Sequence, residues 1–179
     1  MRIIGGEKKG ILLHAPSNLP VRPTTDRAKE SLFNILENNF DLSTLTVLDL
    51  FAGTGNMSYE FASRGAAAVL SVDQHAGCTK YMKEVATKLK FDAMEVRKQD
   101  VFAFLKQTTE SFDIIFSDAP YALSRMVEIP PMVFEKNLLK PNGWLVMEHA
   151  TQLSLNYLPH FKQERKYGQS TFTFFSLDH

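Results

Sequence analysis

Residues 47–56 read Val-Leu-Asp-Leu-Phe-Ala-Gly-Thr-Gly-Asn, and their types suit the capture of a charged small molecule. A run of β-formers ends in a glycine turn, and a helical pattern follows from Asn56. Gly53 and Gly55 permit a sharp turn and let a ligand lie against bare peptide groups, where a Cβ would intrude. Asp49, at the end of the run, is expected to point an acceptor into the crevice beyond the strand ends, where open α/β sheets bind ligands. A dinucleotide fold requires a third glycine, Gly-x-Gly-x-x-Gly, where this chain has Ser58. A carboxylate before the loop is a poor neighbour for a pyrophosphate, but it suits a cofactor carrying an ammonium and a sulfonium. The alternative without a ligand is a left-handed glycine turn.

Two further carboxylates close later strand-like runs. Val69-Leu70-Ser71-Val72 ends in Asp73, where an acid can accept from both hydroxyls of a ribose or cap the helix starting at Ala76. Gln99-Asp100-Val101-Phe102 places Asp100 either at a bound base or at the N-cap of the next helix. Phe112-Asp113-Ile114-Ile115-Phe116-Ser117 runs into Asp118-Ala119-Pro120-Tyr121. Glu148 closes a fifth run near the crevice, where it either helps line the site or, the preferred reading, is a surface carboxylate.

These groups need a frame. Strands are expected at about 46–51, 69–73, 94–99, 112–117 and 143–148, with helices near 56–65, 76–90, 101–108 and 124–138. Alternation at this spacing predicts an α/β fold, with a parallel sheet and helices on both faces. Phe161–Tyr167 and Thr171–Leu177 are separated only by Gly168-Gln169-Ser170, too short for a crossover, so they form an antiparallel C-terminal hairpin. Upstream, residues 2–5 and 10–14 suggest a short hairpin, followed by a loop punctuated by Pro16, Pro20 and Pro23. A helix begins near Thr24–Asp26, with Ala28, Leu32, Ile35 and Leu36 on one apolar stripe.

The bulk composition excludes several classes. The chain has 179 residues, 44% hydrophobic and 22% charged, which fits one globular domain. No apolar run approaches the ~20 residues needed to span a bilayer, and the N-terminus lacks a signal-peptide core. Cys78 is the single cysteine, which excludes an internal disulfide and a cysteine-rich zinc site. The five histidines lack metal-ligand spacing, so no metal is expected. A cytoplasmic, monomeric protein is the expectation. Twenty basic and twenty acidic residues cancel, which does not favour a nucleic-acid partner. Residues 1–30, however, hold six bases (Arg2, Lys8, Lys9, Arg22, Arg27, Lys29) against three acids (Glu7, Asp26, Glu30), enough for a modest phosphate-contacting edge.

Asp49-Leu-Phe-Ala-Gly-Thr-Gly55 resembles motif I of the Rossmann-like methyltransferases that use S-adenosylmethionine. Asp118-Ala119-Pro120-Tyr121 resembles the (Asp/Asn)-Pro-Pro-(Tyr/Phe) motif of amino-group methyltransferases, with Ala119 in place of the first proline. That motif suits its chemistry. An exocyclic amine on a nucleobase is a weak nucleophile, because its lone pair is delocalised into the ring. A side-chain acceptor at Asp118 and the Ala119 carbonyl can hold the two N–H bonds and free the lone pair for in-line attack, while Tyr121 stacks on the base. Alanine keeps the carbonyl and loses the rigidity of proline.

Arg2-Ile3-Ile4-Gly5-Gly6, Arg22-Pro23-Thr24-Thr25-Asp26-Arg27, Arg64-Gly65-Ala66 and Lys166-Tyr167-Gly168, taken with both motifs, are similar to the RsmD family across nearly the whole chain. That family methylates the exocyclic N2 of a guanine in 16S ribosomal RNA. The resemblance implies a seven-stranded, mostly parallel class I methyltransferase sheet. It implies that Asp49, Phe51, Gly53, Gly55, Asp73, Asp100 and Val101 hold S-adenosylmethionine, with Arg22, Thr24 and Thr25 beside the crevice. Asp118, Ala119, Pro120 and Tyr121 would form the catalytic site. Residues 1–22 would be an RNA-contacting extension of a methyltransferase domain spanning 23–179, and the partner would be 16S rRNA or the small ribosomal subunit. A DNA or adenine-N6 methyltransferase, a nicotinamide enzyme and a non-catalytic RNA-binding protein remain open alternatives.

Overall fold

A computed structural model describes residues 1–21 and 24–177. Arg22, expected beside the cofactor, and Pro23 lie outside the described residues.

Helix α1 (Asp26–Asn39) starts where Thr25 Oγ1 accepts from the Ala28 amide, and Asp26 places negative charge in the positive first turn. From there strands and helices alternate: β1 (Thr46–Leu50), α2 (Asn56–Ser63), β2 (Ala68–Asp73), α3 (Ala76–Lys88), β3 (Met94–Lys98), α4 (Val101–Gln107) and β4 (Phe112–Ser117). After β4 come a short 3₁₀ segment (Ser124–Glu128), α5 (Ile129–Glu135), β5 (Leu139–Ala150), β6 (Phe161–Tyr167) and β7 (Ser170–Phe175).

The seven strands are ordered β3-β2-β1-β4-β5-β7-β6, with β7 antiparallel to both neighbours and the remaining pairs parallel. This is the Rossmann-like class I methyltransferase architecture. Strand parity divides the core. Leu48, Leu50, Ile115 and Met147 pack beneath α4 and α5, while Val47, Ile114, Phe116 and Val146 meet α1 and α2. The chain leaves β1 towards β2 and β3, and returns on the other side of β1 as β4. A switch in winding therefore falls between β1 and β4.

Two expected boundaries shift. The helix expected over 124–138 is broken, because Pro130 and Pro131 supply no backbone N–H and clash with a preceding turn. They sit instead at the start of α5, where those amides have no intrahelical partner. Strand β5 begins at Leu139 rather than at 143. Its Lys140-Pro141-Asn142-Gly143 stretch is absorbed by a register shift against β4 between Phe112 and Ile114.

The N-terminal segment forms a minimal hairpin, bridged at Arg2 and Leu12 and closed by Ile3 N–H to the Ile11 carbonyl at 3.0 Å. Ile3 and Leu13 bury against Tyr59, Met82, Val85 and Phe91. Beneath the hairpin lies an ion network. Lys29, 1% exposed, donates to the Arg2 carbonyl at 2.5 Å and to Asn56 Oδ1 at 2.9 Å, and it pairs with Glu60 at 3.1 Å. Glu60 also accepts from the amides of Ile4 and Gly5 and from Arg64. Lys29 therefore faces inward, and Arg2 is tied to Asp26 at 2.6 Å. The basic edge expected of residues 1–30 loses both.

Candidate active site

The glycine loop leaves β1 at the switch point. Gly55 sits at φ +91 as the N-cap of α2, and a Cβ there would meet the Tyr59 ring at 2.6 Å and Met82 at 2.9 Å. Only glycine fits that position. Gly53 is also left-handed, and so is Phe51 at φ 55, unusual for a bulky residue. The Phe51 ring meets Phe102 edge-on, with centroids 6.2 Å apart.

Asp49 does not point out into the crevice. It is 2% exposed and turned beneath the loop, where Oδ2 accepts from Ser58 Oγ at 2.6 Å, and Ser58 Oγ lies 2.6 Å from Ser71 Oγ. The strand's parity aims Asp49 at the face covered by α2, and a buried carboxylate must take a donor there. Burial pushes its pKa up to about 7, opposed by the Ser58 hydrogen bond and assisted by the nearby charge of Asp73.

Asp73 ends β2 and reaches back to the loop. Its Oδ2 accepts from the Gly53 amide at 2.8 Å and its Oδ1 from the His75 amide at 2.8 Å. The cap of α3 is His75, whose Nδ1 accepts from the Cys78 amide. Asp100 caps α4 through the Ala103 amide at 2.9 Å, and Val101 beside it is buried. Asp49, Asp73 and Asp100 thus lie at the carboxyl ends of three neighbouring strands. A carboxylate can take about four donors, so Asp73 can serve the loop and ribose hydroxyls together. The left-handed glycines and the Asp73 and Asp100 carboxylates fit a nucleoside, with the buried Asp49 beneath the loop rather than in contact with it.

The second loop leaves β4 beside the first. Leu50 pairs with Ser117, and the Asp118 amide reaches the Leu50 carbonyl at 3.5 Å. Ala119 is 2% exposed and belongs to the core beneath α5, so packing holds the loop where a proline ring would have stiffened it. Pro120 is exposed. Tyr121 is 39% exposed, and its hydroxyl shares a 2.7 Å hydrogen bond with Ser170 Oγ at the β6–β7 turn.

A cleft of about 430 Å³ opens next to Tyr121, between the start of α1 and the β6–β7 turn. Thr24, Thr25, Arg27, Glu148, Lys166 and Ser170 line it. Glu148, read from the sequence as a surface acid, is 2% exposed and accepts from Thr24 Oγ1 at 2.6 Å. Its position at the end of an apolar run, level with Asp118 on the next strand, was the available signal. Asn56 links the cleft to the glycine loop, its Nδ2 donating to the Thr24 carbonyl at 3.3 Å.

The model of the family described as conserved hypothetical protein 95 matches residues 1–176. The chain is 33% identical over 148 residues to ribosomal RNA small subunit methyltransferase D of Escherichia coli (strain K12), covering 83% of this chain and 71% of that protein. A solved protein of Thermus thermophilus superposes with a TM-score of 0.85 at 26% identity, covering 99% of both chains. An RNA methyltransferase from Salinibacter ruber, solved with S-adenosyl-L-homocysteine, shares the fold at a TM-score of 0.66 and 15% identity, covering 86% of this chain and 92% of that one. With the family match spanning both loops, the cleft and the N-terminal hairpin, the chain belongs to the RsmD family.

Proposed function

We propose that this protein transfers a methyl group from S-adenosylmethionine to the exocyclic N2 amine of a guanine in 16S rRNA. The observation that carries this reading is the meeting of two loops at the switch point. The glycine loop after β1 and Asp118–Tyr121 after β4 leave neighbouring strands, held by the Leu50–Ser117 register. A cofactor on the first and an amine on the second would face each other.

The cofactor supplies an electrophilic methyl on a sulfonium. Gly53 and Gly55 give it close approach to the backbone, and the Asp73 carboxylate takes ribose hydroxyls. Asp100 and Val101 meet the adenine, with the Phe51 and Phe102 rings nearby. Asp49, below the loop, adds a negative potential that favours the ammonium when it is ionised, which burial delays to about pH 7. On the other side, the Asp118 carboxylate and the Ala119 carbonyl accept from the two N–H bonds of the amine and orient its lone pair. Tyr121 stacks on the base, worth ~1–3 kcal/mol in such platforms. Lys8 and Lys9 on the N-terminal hairpin leave residues 1–22 able to touch RNA phosphates, though with fewer cations than the sequence suggested.

The test is transfer of labelled methyl to small ribosomal subunits lacking their native guanine-N2 methylation, with Asp118→Ala and naked 16S rRNA alongside. Incorporation at one guanine, lost in the variant, is expected. Incorporation into an adenine amine or into DNA would redirect the assignment, and cofactor binding without any transfer would make the protein a binding module.

A further inference from the structure

We infer that the groove between α1 and the edge strand β6 carries the backbone of the substrate RNA, with Arg27, Arg165 and Lys162 as its phosphate-binding side chains. The inference rests on the RNA-methyltransferase reading above and adds to it the surface along which the strand lies.

Pairing singles these cations out. Among the described arginines, Arg2, Arg64, Arg97 and Arg125 each meet a carboxylate, whereas Arg27 and Arg165 do not. Both are exposed. Arg27 stands in the first turn of α1 and lines the cleft against the β6–β7 turn. Arg165 pairs with Phe172 across the hairpin, so it shares with Phe172 and Tyr167 the sheet face that α1 covers. Lys162, further along β6, lies over the Trp144 ring at 5.5 Å in the same layer. Among the described residues it too has no carboxylate partner.

The rest of the groove has the chemistry of a phosphate track. Helix α1 turns Asp26, Lys29, Phe33 and Glu37 towards the hairpin and α2, where they meet Arg2, Glu60, Phe61 and Arg64. Glu30 follows Asp26 by one turn, on that same flank. The helical period places Arg27, Ser31, Asn34 and Asn38 on another stripe, turned away from α2 and free of acids. On β6, Gln163 shares the face of Arg165, while Glu164 lies on the opposite sheet face with Thr173. Hydroxyl and amide side chains between arginines are the types that bond phosphate and sugar oxygens. An arginine fork takes two phosphate oxygens at once.

Two relationships favour RNA as the occupant. The Tyr121 hydroxyl meets Ser170 at 2.7 Å, and Ser170 lines the cleft, so the loop proposed to hold the amine adjoins the upper end of the groove. A strand whose target nucleotide lies at Asp118–Tyr121 runs on past Ser170 between α1 and β6. A protein strand is the poorer occupant. The outer edge of β6 has no partner among the described strands, but Lys162, Arg165 and Lys166 along it act against edge-to-edge pairing.

The experiment measures binding of a labelled single-stranded RNA dodecamer by fluorescence anisotropy across a salt series. S-adenosylhomocysteine is present, so the readout does not require turnover. For a single strand, the slope of log affinity against log salt changes by about 0.7 for each phosphate contact. Arg27→Gln with Arg165→Gln should flatten the wild-type slope by about 1.4, and adding Lys162→Gln should flatten it by about 0.7 more. Lys80→Gln with Lys83→Gln removes two exposed cations from α3 and should leave the slope unchanged. Thermal melts check that each variant is folded. No binding by the wild-type protein, an unchanged slope in the groove variants, or an equal fall in the α3 variant each overturns the inference. A slope flattened only by the groove variants, without methyl transfer to ribosomal subunits, would sink the enzymatic reading and leave the groove standing. Methyl transfer with a slope that the groove variants do not alter would do the reverse.

Discussion

The Gly53 amide donates to Asp73 Oδ2 at 2.8 Å, so the carboxylate that ends β2 also holds the loop that follows β1. One acid thus shapes the cradle, and in the proposed function it also takes the ribose hydroxyls. Replacing Asp73 by Ala removes both contributions. Charge-assisted hydrogen bonds are worth ~1.5–3 kcal/mol, so S-adenosylmethionine should bind at least tenfold more weakly in calorimetry. Asp73→Asn should fall between, since its amide oxygen can still take the Gly53 amide. Unchanged affinity in the alanine variant would remove Asp73 from the cofactor site.

Asp49 gives a pH dependence whose sign follows from its burial. Its folded pKa, near 7, lies above the ~3.9 of an unfolded aspartate. Below about pH 4 both states are protonated and the group contributes nothing. Between about pH 4 and 7 the folded chain keeps a proton that the unfolded chain releases, so stability falls as pH rises and then levels off. The full penalty is on the order of 4 kcal/mol. Asp49→Asn, which can still accept from Ser58, should be the more stable protein at pH 8, with the difference shrinking towards pH 4. Thermal melts of the two proteins running parallel from pH 5 to 8 would contradict this.

The buried Lys29 couples the hairpin to both helices that begin at the site. Burial lowers its pKa, and Glu60 raises it back in part. Removing one partner of a buried pair typically destabilises by about 3–5 kcal/mol. Lys29→Ala should therefore shift the urea midpoint strongly and speed hydrogen exchange at the Ile4 and Gly5 amides, which donate to Glu60. A loss of stability with those two amides still protected would show that the network supports the core and not the hairpin.

The contrast between Asp73 and Lys29 shows what one dimension can carry. The positions of Asp49 and Asp73 near strand ends were legible because each closes an apolar run, and strand ends are where α/β sheets bind ligands. The alternation that places them survives small errors at element boundaries. Lys29 was illegible: it sits one residue from the exposed Glu30 and looks like surface charge, because its partner Glu60 lies on a different helix. Glu148 was misjudged for the same reason, since the Thr24 hydroxyl that donates to it is 124 residues away. The inward turn of Asp49 was likewise hidden, because it depends on Ser58 and Ser71 meeting beneath the loop. Elements follow from local pattern, but the environment of a charge follows from packing.

Tyr121 separates stacking from tethering. The residue is 39% exposed, while its hydroxyl is held by Ser170. Tyr121→Ala removes both functions and should lower kcat/KM by about tenfold to a hundredfold, the scale of base–aromatic stacking. Tyr121→Phe keeps the platform and loses the neutral hydrogen bond to Ser170, worth ~0.5–1.5 kcal/mol. Ser170→Ala should match it, and combining the two should be no worse than either alone, because both delete one interaction. Methyl-transfer kinetics on ribosomal subunits would read all four proteins. If phenylalanine is as damaging as alanine, the hydroxyl and its hold on the β6–β7 turn carry the effect. If alanine is harmless, the base stacks elsewhere.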